Sequence, residues 1–471
     1  MSSFTDAISG IVGTSNLLAG AASAKFGQDW KHSYRWQPLA VARPADTAEV
    51  SALVKLAAEN SVAVVPVGGN TGLNGGTFAE GALMISLDRM NRIEEIRPEA
   101  RVAIVEAGVV LSSLHEAAAE HDLSFPLTFG ARGSAMIGGC LATNAGGSNV
   151  LRHGNTRSLA LGLEVVLPDG RVLDMMGALH KDNTGLDLRD LFVGAEGTLG
   201  LITRAVLKLV PAASAYATAM VSARSIPDAL VLLNRLQDAA GGLVEAFEYM
   251  PRSYLDALAA KMPAIRPPLG YDRDHTIMVE IGATAARDAA PRADGTVPIA
   301  HLLEETLAEL IEKGFADDAV IAKTEAQRRE MWAMREVSAE TVFAFPHFVD
   351  TDISVPLDAV APFLERAEAA RRRMDPASSV HIVSHLGDGN VHYTMLPESG
   401  DSDLHEAMRE MIEDVALSFG GSFSAEHGIG LSKLGGMRRR KNPVALDVMR
   451  KIKSALDPQG IMNPGKVIPY D

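Results

Sequence analysis

Cysteine is almost absent: the 471 residues hold one, Cys140. An internal disulfide and a cysteine-rich zinc or iron–sulfur centre are thereby excluded, so any metal must be held by histidines and carboxylates. Long apolar runs are also missing, and no stretch approaches the roughly 18 residues that a spanning helix needs. An integral membrane protein is therefore not expected. Positive charge is in deficit, with 44 Lys and Arg against 59 Asp and Glu and a formal net charge of −15. A wholesale nucleic-acid binder is normally basic, which removes nucleic acid from the expected partners. The first 24 residues are small and apolar but lack a basic start and carry Asp6. They read as a helix docked on a domain, not as an export signal, and the expected location is the cytoplasm.

What is present points to an ordinary globular chain, 47% hydrophobic and 22% charged, long enough for two or three domains of about 150 residues each. Residues 1–37 read as a helical lead-in. Asp46 or Thr47 can cap a helix whose apolar face is Val50, Leu53, Val54 and Ala57. The strand Val62–Val67 runs into Gly68-Gly-Asn-Thr-Gly-Leu-Asn-Gly-Gly76. Glycines there free backbone N–H groups to converge on an anion such as a pyrophosphate, although the spacing is neither that of a Rossmann fingerprint nor that of a Walker loop. Two more small-residue runs follow, Gly133–Gly147 and Gly194–Thr203. Between them Pro168-Asp-Gly170 reads as the turn of a hairpin. Three such loops suit one long ligand approached at several points. Leu209-Val-Pro211 closes this region. Beyond it a separate α+β region is expected. Its Thr284–Pro298 segment reads as a loop, and its Arg371-Arg-Arg373 run as a solvated helix face.

The chemistry-bearing stretch is Val383-Ser-His-Leu-Gly-Asp-Gly-Asn-Val-His392, together with Ser424-Ala-Glu-His-Gly428. A turn at Gly387–Asn390 would pair two strands and bring His385 and His392 together. Two imidazoles and a carboxylate suit Zn²⁺, Fe²⁺ or Mn²⁺ with open positions for substrate oxygens. Neighbouring residues of an extended segment point to opposite sides, so either Glu426 ligates and His427 faces substrate, or the reverse. His32, His180, His275 and His381 read as ordinary structural histidines. On its helix Gln327–Glu336, Arg335 alone reads as a surface cation.

Pro66–Gly76, Ile137–Gly147 and Gly194–Thr203 resemble, in order, the flavin signatures of the vanillyl-alcohol-oxidase (PCMH) type FAD domain, over residues 38–213. The resemblance implies a two-subdomain α+β fold holding noncovalent FAD. Val67, Gly68, Gly69, Asn70, Thr71, Gly72 and Leu73 would wrap the pyrophosphate. Gly133, Ser134, Gly138, Gly139, Thr143 and Gly146 would line the flavin, with Glu196, Gly197 and Ile202 near the adenosine end. Cys140 is not an attachment point.

His-Leu-Gly-Asp-Gly-Asn-Val-His, Ala-Glu-His-Gly-Ile-Gly and Leu456-Asp-Pro-Gln-Gly-Ile-Met-Asn-Pro-Gly-Lys466 resemble signatures of the C-terminal domain of FAD-linked 2-hydroxy acid dehydrogenases, of the D-2-hydroxyglutarate and D-lactate kind. This resemblance implies an α+β substrate domain at 214–425 and a segment, 426–471, that returns to the FAD domain. His385, His392 and Glu426 would be ligands of a divalent metal, with zinc expected. His427 would be the base, Arg335 the partner of the substrate carboxylate and Asn390 a further substrate contact. Asn463 and Lys466 would lie near flavin. The reaction implied is oxidation of a small D-2-hydroxy acid to a 2-oxo acid, with an electron-transfer flavoprotein or a quinone as acceptor and a homodimer as the assembly. Two positions depart from the D-2-hydroxyglutarate pattern. Ala339 stands for a Thr, and Asp350 for a Lys ahead of the Asp-x-Ser-x-Pro strand, which leaves a related 2-hydroxy acid open. The alternative is a non-redox flavin-dependent transferase of the alkylglycerone-phosphate synthase kind.

Overall fold

The computed structural model describes residues 2–470. Contacts divide the chain into two units: 1–146, 154–211 and 426–471 form the first, and 147–153 with 212–425 the second.

The first unit holds two larger sheets and a two-stranded one, Leu123–Ser124 with Val210–Pro211. In the smaller of the two larger sheets, Ala40–Ala42, Leu83–Ser86 and Val64–Val67 lie parallel, with Leu17–Leu18 antiparallel at the edge. The helix Thr47–Glu59 packs on it. Asp46 caps that helix by accepting Glu49 N–H, and Val50, Leu53, Val54 and Ala57 are fully buried, as a 3.6-residue apolar period requires. The second sheet is antiparallel, in the order Ile93–Arg97, Val102–Glu106, Leu201–Lys208, Ala160–Val166, Val172–Met175. Its last two strands form the hairpin expected at Pro168–Gly170. The lead-in is less helical than its composition suggests: only Ser2–Val12 is α-helix, followed by two 3₁₀ stretches and the short edge strand. Gly13 and Gly20, both at positive φ, interrupt it.

The C-terminal segment belongs to this first unit. Val64 N–H donates to Ile461 O at 2.8 Å, and Asn463 N–H to Val64 O at 2.8 Å. Lys453 is buried and donates to Asp457, to Thr198 O at 2.6 Å and to Met462 O at 2.7 Å. A buried ammonium needs several acceptors to offset its lost hydration, and three are supplied.

The second unit is built on one antiparallel sheet of seven strands. Their order is Ala316–Ile321, Ala215–Ala223, His275–Ala283, Val244–Pro251, Ser379–His385, Asn390–Leu396, Asp352–Ser354. Side-chain parity separates its faces. One face is apolar: Phe247, Tyr249, Ile277, Val279, Val391 and Tyr393 pack in a core with the helices Ile226–Ala239, Pro298–Glu312, Val360–Met374 and Ser402–Ser418. The other face carries Met220, Met250, Met278 and Val383 against Tyr254 and Leu258 of the helix Arg252–Lys261 and Met331 and Met334 of the helix Glu325–Glu336. It also carries the polar residues of the candidate site.

Two local expectations change. Thr284–Pro298 is not all loop, since Ala286–Ala289 makes a helical turn and Pro298 opens the next helix. Arg371 does not join a solvated face: it is 5% exposed, bonded to Glu368, Ser378 and the Asp375 carbonyl. Three successive helical positions splay by about 100° each, so one of the run turns inward.

Candidate active site

The hairpin Ser379–His385/Asn390–Leu396 sets the site. Its register pairs His385 with Asn390, Val383 with His392 and His381 with Thr394. The next strand adds Ser354 opposite Asn390 and Asp352 opposite His392. On the other side Glu248 faces His385. Rows of functional side chains therefore cross the sheet, about 7 Å apart along each strand. His385 and His392 meet with ring centroids 5.5 Å apart.

Glu248 is a site residue that sequence reasoning missed. It is fully buried, and its oxygens accept His385 Nδ1–H at 2.8 Å and Arg335 Nε–H at 2.7 Å. Burial opposes its ionisation, yet the charges and hydrogen bonds of His385 and Arg335 outweigh that and hold the carboxyl below its usual value. An ionised Glu248 fixes the proton on Nδ1 and turns Nε2 of His385 away from itself, as carboxylates do behind metal-bound imidazoles. Arg335 Nη2 lies 3.5 Å from that Nε2. Arg335 is thus no surface cation but a half of a buried ion pair.

Asp352 is a second missed carboxylate. It is 2% exposed, with Oδ1 at 4.0 Å from His392 Nδ1. Asn390 Nδ2 donates to that Oδ1 at 3.1 Å and to Ile353 O at 2.8 Å. The amide nitrogen of Asn390 is therefore committed, while its buried Oδ1 has no hydrogen-bond partner among the described residues. His392 and Asp352 offer an imidazole and a carboxylate on one sheet face, donor types that suit a borderline divalent ion, whereas His385 is bonded to Glu248 and lies outside that donor group. Ala425 N–H donates to Asp352 O at 3.2 Å, and Glu426 and His427 follow in the chain. Within the first unit His427 Nε2 stands 3.6 Å from Glu426 Oε1. Ala339 is exposed, and Thr394 Oγ1 donates to Asp350 Oδ1 at 3.4 Å.

In the first unit the three glycine-rich runs converge. Val67 ends its strand, and Gly68–Leu73 form the loop that follows. A Cβ on Gly69 would sit 2.0 Å from Ser134 O, so only glycine lets the first and second runs touch. Gly133 and Ser134 close a 3₁₀ turn, and Gly138, Gly139 and Thr143 lie on the helix Ile137–Thr143. Thr143 Oγ1 donates to Gly139 O at 3.0 Å. Gly146 is the last residue before the chain enters the second unit. Cβ atoms at Gly72, Gly133 and Gly139 would meet no heavy atom within 4 Å, leaving bare backbone open to a ligand. Gly197 adjoins Glu196 in the third run, while Ile202 lies in the hydrophobic core. Asn463 Nδ2 joins the runs by donating to Gly76 O at 3.0 Å and Glu196 O at 2.6 Å. Burial lowers the Lys466 ammonium to about 8 and pushes the Cys140 thiol up to about 12, so Cys140 is no ready nucleophile.

The profile of the FAD linked oxidase C-terminal domain matches residues 212–467, and that of an FAD binding domain matches residues 38–176. The chain belongs to the FAD-linked oxidase family. It is therefore a flavin-dependent enzyme built from a vanillyl-alcohol-oxidase type FAD domain and an α+β C-terminal domain. Among its relatives, a D-2-hydroxyglutarate dehydrogenase of Xanthomonas citri pv. viticola is 34% identical over 94% of this chain and 92% of its own. One of Stutzerimonas stutzeri is 31% identical over 98% of both chains, and the mitochondrial one of Bos taurus is 34% identical over 94% of this chain and 79% of its own. The fold is shared with p-cresol methylhydroxylase at a TM-score of 0.75, 14% identity and coverage of 99% and 96%. It is also shared with alkyldihydroxyacetonephosphate synthase at 0.72, 15% identity and coverage of 98% and 84%. No helix among the described residues is long and apolar enough to cross a membrane.

Proposed function

We propose that this chain oxidises a D-2-hydroxy acid to the corresponding 2-oxo acid. The observation that carries the reading is the buried Glu248–His385 pair beside His392 and Asp352 on one sheet face, in a chain whose relatives at 31–34% identity are named D-2-hydroxyglutarate dehydrogenase. His385 and His392 would hold a divalent ion, zinc by the chemistry of the donors, with Glu426 as the carboxylate and Asp352 beside it. The ion would supply Lewis acidity toward the substrate hydroxyl, and noncovalent FAD the acceptor for the Cα hydride. His427 takes the hydroxyl proton, so that loss of a proton and a hydride leaves the ketone. Arg335 keeps Nε on Glu248 and turns its terminal nitrogens to the substrate carboxylate. Asn390 has its amide oxygen left to accept from substrate. The acceptor that reoxidises the flavin is of the electron-transfer flavoprotein or quinone kind.

Asp350 beside Thr394 weighs against a second carboxylate on the substrate at that end of the row, because like charges repel at short range. Anaerobic flavin bleaching by D- and L-2-hydroxy acids, dicarboxylic and monocarboxylic, with and without chelator, tests the reading. D-selective bleaching that chelator suppresses is expected. A flavin that no hydroxy acid reduces would return the chain to the non-redox transferase alternative, and reduction untouched by chelator would remove the metal.

A further inference from the structure

We propose that Asn74 and Glu196, one from each of two glycine-rich flavin loops, are positioning residues for His427. The inference rests on the reading of His427 as the base. The backbone from Glu426 to Ile429 is irregular, with no ladder or helix to hold it. Two side chains from the glycine-rich loops bond along it. Asn74 Nδ2 donates to His427 O at 2.9 Å and to Gly428 O at 2.8 Å. Asn74 Oδ1 accepts from Ser432 Oγ at 3.0 Å, and Asn74 O accepts Leu431 N–H at 2.7 Å. Glu196 takes the next two amides, Ile429 N–H at 2.7 Å and Gly430 N–H at 2.9 Å.

The fit is close. A Cβ on Gly430, at φ +52°, would lie 2.2 Å from Asn74 O. Glu196 itself sits in left-handed backbone at φ +49° and is 9% exposed, an unfavourable conformation for a non-glycine residue that the surroundings must enforce. Asn463 ties Gly76 O to Glu196 O, so the two loops that carry the clamp are bonded to a common side chain. The carboxylate of Glu196, expected near the ribose or adenine, accepts from two amides of the His427 segment. The imidazole of His427 is carried by the first residue of a four-bond clamp, and small misplacement of a reacting group can cost about 100-fold in rate.

The test uses the full-length FAD- and zinc-loaded enzyme with the hydroxy acid that bleaches it fastest. Single-turnover flavin reduction is measured for Asn74→Ala, Glu196→Ala, Glu196→Gln and His427→Ala, and for His427→Ala combined with each alanine variant. The alanine variants should keep FAD and half-saturation while reduction slows by roughly 10–100-fold. Glu196→Gln, which keeps an acceptor oxygen, should recover most of the rate. In the His427→Ala background the added substitutions should cost nothing further, because groups acting through one another are not additive. Additive losses, or normal reduction in Asn74→Ala and Glu196→Ala beside a slow His427→Ala, overturn the positioning role alone. Normal reduction in His427→Ala, or no acid that bleaches the flavin, overturns the underlying assignment and the inference with it. Should Glu196→Ala lose FAD, Asn74→Ala and Glu196→Gln carry the comparison.

Discussion

Removing Glu248 separates structure from chemistry at the site. Its two oxygens serve His385 at 2.8 Å and Arg335 at 2.7 Å, and Arg335 is 11% exposed. Glu248→Ala leaves that guanidinium without its counter-charge, and breaking a buried pair from one side costs about 3–5 kcal/mol. Glu248→Gln keeps the shape and one acceptor oxygen, so the loss is closer to ~2 kcal/mol, the scale of a charge-assisted hydrogen bond. At about 2–4 °C per kcal/mol for a domain of this size, Tm should fall by roughly 10 °C for Ala and 5 °C for Gln. The second effect is on the metal. Without an ionised partner, His385 loses its fixed Nδ1 proton and its orientation, which lowers metal affinity by about 10–100-fold. Competition between the protein and a fluorescent zinc chelator, run beside thermal unfolding with the metal removed, reads the two effects apart. A Glu248→Gln enzyme that unfolds earlier but binds zinc as the wild type does would refute the orienting role and leave only an ion pair.

Four further outcomes are expected. His381 is 1% exposed, and burial, then Arg335, push it down to about 4. The unfolded chain therefore takes this proton first, and roughly 3 kcal/mol of stability is lost as pH falls from about 6.5 to 4. His381→Phe, which keeps a ring against Tyr254, should flatten that part of a urea-unfolding pH series, and an unchanged slope would count against it. Arg371→Ala should lower stability by about 3 kcal/mol through its buried partners, whereas Arg372→Ala, whose side chain is 71% exposed, should change it by no more than ~0.5 kcal/mol. Gly69→Ala forces a methyl group to 2.0 Å from Ser134 O, so the purified protein should lose its flavin absorbance on gel filtration. Asp350→Lys should raise the ratio of kcat/KM for D-2-hydroxyglutarate over D-lactate by about tenfold, the equivalent of ~1.4 kcal/mol. An unchanged ratio would place the substrate tail elsewhere.

Local signals were readable where the cause was local. The cap at Asp46, the turn at Pro168–Gly170 and the approach of His385 to His392 across their hairpin all depend on residues a few positions apart. Glu248 was not readable, because its partner His385 lies 137 positions away and its strand, Val244–Pro251, is buried along its whole length. No alternation marks such a strand's working face. A carboxylate inside a buried run was the one available sign, since an ionised group there needs partners. Asn74 sits in a loop read for its glycines, and its contact with His427 spans 353 positions. Nor did the loop's composition distinguish a residue that meets the ligand from one that meets the protein. Arg371 shows the reverse error, a charge run taken as a single face although helical geometry divides it.

The proposed ligands and the proposed base are fixed by different means. His385 and His392 stand on strands, where ladder hydrogen bonds and parity set their direction, and Glu248 bonds the ring of His385. His427 stands on irregular backbone before Gly428, where no ladder exists, and the proposed clamp of Asn74 and Glu196 bonds that backbone. The two kinds of support answer differently to perturbation. A change in the sheet disturbs the donor atoms in a cooperative core and should appear first as lost metal or lost stability. A change in the flavin loops leaves that sheet intact and alters only where the base is held. Lost reduction at full metal and full flavin content is therefore the signature of the second kind, and neither element alone accounts for turnover.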